Sequence, residues 1–293
     1  MTKKIIFRGV GTALVTPMKH GSIDYPSLSK IIEKQIAGGV GALIVGGTTG
    51  EAATLTDDER YELYTYVKGV VQGRVKIIFG TGTNDTRMAI KHTRVASDIG
   101  CDGVLTVTPY YNKGTFKGVV EHYTAIAKST DLPILLYNVP TRTGVNLTIK
   151  QLDELSKIEN IVGIKEASDS VDRLTELSKY QDDLHLYAGN DSQIYATLAL
   201  GGKGVISVVS NLYPEKTAAI YASFFKGDMR ASLEAQLELF DFIKLMFKET
   251  NPSPIKYAMS IAQLCSSEVR LPLAVPEPAT QKEIETAMKT LQL

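Results

Sequence analysis

Eight short runs rich in Val, Ile and Leu recur along the chain: GVGTALVTP (9–17), GALIVGG (41–47), KIIFGTG (76–82), GVLTVTP (103–109), PILLYNV (133–139), IVGIKEA (161–167), LHLYAGN (184–190) and GVISVVS (204–210). Most are apolar at consecutive positions, which strands require when helices cover both faces of a parallel sheet. Between the runs, apolar residues fall at helical spacing. Leu28, Ile31, Ile32 and Ile36 form one such face, closed by Gly38-Gly39, and Thr56 with Glu59 makes a capping box ahead of Leu63, Val67 and Val70. Eight strands, each followed by a helix, fit a closed α/β (β/α)8 TIM barrel better than an open doubly wound sheet.

After Tyr213 the strand pattern stops. Segments 231–247, 255–264 and 281–293 read as helices joined by Pro-containing links, with no Gly- or Ser-rich linker before them. The sequence therefore predicts a catalytic barrel over 1–226 and a C-terminal helical extension over 227–293 packed on it.

Composition narrows the function. The 293 residues carry 32 basic and 32 acidic side chains, scattered rather than clustered, so no electrostatic footprint for nucleic acid or an anionic membrane is present. The start, MTKKIIF, is too short in apolar residues for a secretory signal, and no run approaches the ~20 residues of a membrane span. A cytoplasmic protein acting on small metabolites is expected. Cys101 and Cys265 sit in apolar surroundings without a second thiol or a His at ligand spacing, and are expected to be free thiols.

Barrel sites form at the carboxyl ends of the strands. There the sequence places Gly46-Gly47-Thr48-Thr49-Gly50-Glu51, Thr108-Pro109-Tyr110-Tyr111-Asn112, Tyr137 with the VPTR segment to Arg142, and Lys165-Glu166. Lys165 is the most informative, because it lies inside an apolar run. Strict alternation would put Ile161, Gly163, Lys165 and Ala167 on one face, with Gly163 leaving room beneath the amine. A desolvated amine exposes a lone pair that can attack a carbonyl and form a Schiff base, although position alone equally allows a lysine paired with a carboxylate. Tyr137 can share such a cavity and shuttle protons, or be a core tyrosine. The small residues around Thr48 and Thr49 let backbone N–H groups approach an anion, or form a purely structural turn, and the planar fork of Arg142 suits a substrate carboxylate or, equally, a surface ion pair. Neither a phosphate loop nor a dinucleotide fingerprint is present, and none of the four histidines falls at a strand's carboxyl end.

In order and spacing, GGTTGEAATLT (46–56), GTGTND (80–85), TPYYNKG (108–114), LYNVPTRTG (136–144), GIKEAS (163–168), AGND (188–191), GVISVVSN (204–211) and NPSPIKYAM (251–259) resemble the dihydrodipicolinate synthase branch of the pyruvate-dependent class I aldolases, a family that also contains N-acetylneuraminate lyase. The resemblance covers essentially the whole chain. It implies Lys165 as the Schiff-base residue, Tyr137 as proton donor and acceptor, and Thr48 and Tyr111 as the rest of a hydroxyl relay, Tyr111 entering from a neighbouring subunit of a homodimer or homotetramer. It implies further that Thr48 and Thr49 hold the pyruvate carboxylate through backbone groups and that Ile206 borders it. Arg142 would bind the carboxylate of L-aspartate 4-semialdehyde. Neither a metal nor an organic cofactor is implied, since the protonated imine is itself the electron sink.

The arginine favours the synthase over aldolases that cleave a 2-keto-3-deoxy sugar acid or sialic acid; a barrel that binds a 2-oxo acid without turnover is the third reading. The chain departs from lysine-inhibited members around Ala53, Asp57, Arg60, Asn84, Met88 and Tyr110. Met88 stands where those members carry an acidic ligand, and Arg60 where they carry a histidine, so weak or absent inhibition by lysine is expected.

Overall fold

A computed structural model describes residues 3–291. The first two residues of MTKKIIF and the last two of the helix predicted over 281–293 lie outside them. All eight apolar runs form strands: β1 (Gly9–Ala13), β2 (Ala42–Val45), β3 (Lys76–Gly80), β4 (Gly103–Val107), β5 (Ile134–Asn138), β6 (Ile161–Glu166), β7 (His185–Ala188) and β8 (Gly204–Ser207). Each pairs in parallel with its sequence neighbours, and β8 pairs with β1 to close the barrel. The ladder ends before the apolar runs do. Residues such as Leu14 and Val15, each 1% exposed, are buried in the loops beyond β1, so hydrophobicity continues where strand pairing stops.

Two cores flank the strands. Inside the barrel, Ala13, Ile44, Ile78, Leu105, Leu135, Tyr187 and Ile206 interdigitate with Ile6 and Phe7. Phe7 stacks on Tyr187 at 4.6 Å, and the Tyr187 hydroxyl donates to the Phe7 carbonyl at 2.8 Å. Tyr187 thus packs on the segment that precedes β1. The larger core lies between strands and helices, where Leu28, Ile31 and Ile32 of helix Tyr25–Ala37 and Leu63 and Val67 of helix Asp57–Val71 meet the outward faces. The predicted Thr56–Glu59 capping box is formed.

Strict alternation fails in one place that matters. Ile134 pairs with Ile161 but Leu135 pairs with Gly163, so β6 carries an extra residue at Val162. Ile161 consequently belongs to the outer core, whereas Val162 and Ala167 belong to the inner one. The predicted grouping of Ile161 with Lys165 is therefore corrected. Gly163 is needed for close packing rather than for empty space: a Cβ there would stand 2.9 Å from Leu135 Cδ2 and 2.6 Å from the His185 carbonyl oxygen.

A hairpin absent from the sequence reading, Met18–Lys19 with Ser22–Ile23, turns at His20 and Gly21, both at positive φ as a primed turn demands. Beyond β8, helix Pro214–Phe225 is followed by helices Met229–Met246, Ser253–Ile261 and Pro278–Thr290. Leu239, Phe242, Ile243 and Met246 of the first of these three are buried in the outer core, Phe242 edge-on to Tyr213 at 5.1 Å. Among the described residues no helix is long and apolar enough to cross a membrane.

Candidate active site

The register of β5 on β6 sets Tyr137 beside Lys165. Both side chains are almost wholly buried, at 7% and 6% exposure, and the Lys165 Nζ lies 4.3 Å from the centroid of the Tyr137 ring. No carboxylate among the described residues stands at ion-pairing distance from this amine, whereas Lys76 at the opposite end of β3 pairs with Asp102 at 2.7 Å. The Tyr137 main chain is held by Thr108, whose N–H and hydroxyl both donate to its carbonyl oxygen at 3.0 Å.

The Gly46–Glu51 loop after β2 folds over the barrel mouth. Gly46 has φ +65°, and a Cβ there would meet the Tyr64 hydroxyl at 2.5 Å, so only glycine serves. Inside the loop, Gly50 and Ala52 donate to the Gly47 carbonyl, and Glu51 to that of Thr48. The amides of Thr48 and Thr49 donate to no described protein acceptor, which leaves two adjacent N–H groups for an anion. Thr48, Tyr137, Val139 and Arg142 line one cavity of about 500 Å³. No hydrogen bond joins the Thr48 hydroxyl to the Tyr137 phenol. Ile206 is buried in the same inner core as Tyr137.

Arg142, predicted in a loop, sits on a one-turn helix, Pro140–Thr143, started by the proline and ended by Gly144 at φ +66°. It makes no ion pair among the described residues. Its Nη2 donates instead to the Asn251 carbonyl at 3.0 Å, leaving the rest of the fork free. Tyr111 does not join the cavity: it is 90% exposed, with φ +67°, while its neighbour Tyr110 lines the wall.

Four residues to which the sequence reading gives no role contribute here. Asn251 lines the cavity and donates through Nδ2 to the Thr49 hydroxyl at 2.9 Å. Glu51 and Lys256 form a fully buried ion pair of 2.6 Å beneath the loop. Lys256 also donates to the Thr16 carbonyl at 3.0 Å, and Glu51 accepts from the Arg270 N–H at 2.9 Å. Asp191 accepts from the Val208 and Val209 amides at 2.9 and 3.3 Å at the end of β8. Burial pushes the Asp191 carboxyl up, opposed by these hydrogen bonds, by Ser207 and by the charge of Lys165. Asn251, Lys256 and Asp191 lie in the NPSPIK and AGND motifs, and Lys256 repeats the one signal that singled out Lys165, a lysine inside an apolar run.

A closed parallel barrel with a buried lysine near the carboxyl end of a strand is an arrangement that Schiff-base chemistry can use, and the relatives' curated activity makes the chain a lyase of the class I aldolase type. Residues 6–291 match the model of the Dihydrodipicolinate synthetase family, and the chain belongs to that family. It is 45% identical to the 4-hydroxy-tetrahydrodipicolinate synthase of Alkaliphilus oremlandii, over 97% of this chain and 98% of that one. Its fold is similar to the dihydrodipicolinate synthase structure of Thermotoga maritima (TM-score 0.96, 40% identity, 99% of this chain and 100% of that one). It is also similar to the enzyme of Cyanidioschyzon merolae with lysine bound (TM-score 0.94, 35% identity, 98% and 99%).

Proposed function

We propose that the chain is a 4-hydroxy-tetrahydrodipicolinate synthase, condensing pyruvate with L-aspartate 4-semialdehyde on the way to diaminopimelate and lysine. The observation that carries this reading is the Lys165–Tyr137 pair: an inward amine without a carboxylate partner, next to a phenol, under a loop with two free N–H groups. Lys165 Nζ attacks C2 of pyruvate and water leaves, giving a protonated imine. Loss of a C3 proton yields an enamine that attacks the aldehyde carbon. The amino group of the second substrate then displaces Lys165 at C2 and closes the ring.

Tyr137 carries the protons of these steps, with Thr48 and Tyr111 linking it to solvent. The carboxylate of pyruvate takes the Thr48 and Thr49 amides against Ile206, and Arg142 takes that of the aldehyde. Because Tyr111 points away from its own cavity, the reading requires at least a dimer in which the tyrosine completes the partner's site. Tyr111→Phe then slows turnover without abolishing pyruvate binding.

Borohydride reduction in the presence of pyruvate, followed by peptide mapping, tests the assignment. A stable adduct on Lys165 is expected, and its absence overturns every enzymatic reading. Turnover with aspartate semialdehyde against a panel of sugar aldehydes then separates the synthase from the sugar-acid and sialic acid aldolases.

Weak inhibition by lysine also belongs to this proposal. Asp57 is already engaged by Lys91 and His92, at 2.6 and 3.0 Å, and Arg60 adds a buried positive charge bonded to Tyr64, Gly80 and Ala52 beside Met88. Half-inhibition is expected only above about 1 mM lysine, as repulsion by one guanidinium at close range costs roughly 1 kcal/mol or more.

A further inference from the structure

Asn251 touches two residues of the proposed site at once. It is 5% exposed, its side-chain amide donates to Thr49 Oγ1 at 2.9 Å, and its main-chain carbonyl accepts from Arg142 at 3.0 Å. The direction of the first bond has a chemical consequence. A hydroxyl has one hydrogen to give and lone pairs to receive with. Asn251 fills an acceptor position of Thr49, and among the described residues no protein group accepts the Thr49 hydrogen. The Thr49 hydroxyl is thereby fixed as a donor, beside the two unspent amides of Thr48 and Thr49. The Asn251 Oδ1 atom is buried without a hydrogen-bond partner among the described residues.

We infer that Asn251, from the C-terminal extension, is a positioning residue that sets the Thr49 hydroxyl as the third donor to the carboxylate of the 2-oxo acid. This rests on the function proposed above, which already places the carboxylate at Thr48 and Thr49, and adds the residue that orients the Thr49 hydroxyl. The link to Arg142 runs through the Asn251 backbone and survives substitution of the side chain. Loss of the side-chain amide should therefore affect the 2-oxo acid and spare the aldehyde, whereas general damage to the site would weaken both.

The test is pyruvate half-saturation of borohydride-trapped adduct and of turnover, in the full-length protein. Asn251→Ala is expected to raise it about 3- to 10-fold, the value of one modest hydrogen bond, with the maximal adduct yield and the half-saturation by aldehyde unchanged. Asn251→Asp, whose carboxylate captures the Thr49 hydrogen and repels the substrate, is expected to raise it about 100-fold. In a Thr49→Val background Asn251→Ala should add nothing, because its target is gone. An equal effect of Asn251→Ala with and without the Thr49 hydroxyl overturns the inference, as does a matching rise for the aldehyde or no change at all. If Asn251→Ala does not fold, Asn251→Ser carries the same cycle. A wild-type protein that forms no adduct on Lys165 refutes the function itself, whereas an adduct with unaltered half-saturation in the Asn251 variants refutes only this inference.

Discussion

Two lysines are buried in apolar runs of this chain, and their different surroundings are the ground on which we propose opposite tasks for them. Lys165, near the carboxyl end of β6, faces a tyrosine ring and has no described carboxylate within ion-pairing distance. Lys256, on helix Ser253–Ile261, is 0% exposed and held by Glu51 at 2.6 Å and the Thr16 carbonyl at 3.0 Å. Burial alone therefore does not mark a nucleophile. A buried amine with a matched carboxylate and a carbonyl is an anchor, and here it ties the extension to the underside of the loop that carries Thr48 and Thr49. A buried amine without one has its valence free for substrate.

Exchanging each lysine for alanine is the strongest way to break the comparison. Lys165→Ala is expected to abolish the pyruvate adduct and lower turnover more than about 10⁵-fold while leaving the melting temperature nearly unchanged. Lys256→Ala leaves Glu51 charged and unpaired in the interior, an expected loss of about 3–5 kcal/mol, or roughly 10 °C in melting temperature for a chain of this size. Thermal melts and adduct trapping on both variants decide the matter. If Lys165→Ala melts as early as Lys256→Ala, the division between reactive and anchoring lysine is wrong.

The barrel is legible in the sequence because strands buried on both faces leave an unmistakable apolar run, and the sequence can nominate candidate residues because barrel geometry ranks them by nearness to a strand's carboxyl end. The extra residue at Val162 was not legible, since an alternation rule has no means of registering a bulge. Arg142 stands on a helical turn where the sequence reads as a loop, as the four residues Pro140–Thr143 can equally be either. Asn251 and Lys256 were missed for a different reason. Their partners, Thr49 and Glu51, lie 202 and 205 residues away in the chain, and nothing local reports such a contact. The exposed position of Tyr111 was foreshadowed only by the family resemblance, not by any pattern in TPYYN.

Replacing the whole anchor rather than half of it sharpens the contrast. In Glu51→Gln/Lys256→Met the buried charges go together and the Gln oxygen still accepts from the Arg270 N–H, while the Thr16 carbonyl loses its donor and the Gln amide nitrogen gains no acceptor from the Met. The expected loss in denaturant unfolding is about 1–2 kcal/mol, well below that of Lys256→Ala. A double variant as unstable as the single one would show that the pair contributes through its charge and not merely by avoiding an orphaned one.

The smallest effect lies at the outer end of the same anchor. Arg270, whose N–H reaches Glu51, turns its guanidinium onto Glu59, which also caps helix Asp57–Val71 through the Thr56 N–H. The hydrogen bond from Arg270, helped by that from Thr56, holds the Glu59 carboxyl down at about 2 against its ordinary 4.5, despite a smaller upward push from burial. A carboxyl depressed on folding contributes stability that is complete above pH 4.5 and lost as the pH falls through about 2. Asp57, pulled down to about 2 chiefly by Lys91 and then His92, titrates in the same window, so the informative quantity is the difference between wild type and Glu59→Gln. That difference is expected to be below about 1 kcal/mol at neutral pH, because the pair is partly solvated, and to shrink as the pH falls from 4.5 through about 2. Urea titrations at stepped pH measure it. A gap that stays constant across the acid range would mean that the Glu59 charge contributes nothing and that the anchor stops at Glu51 and Lys256.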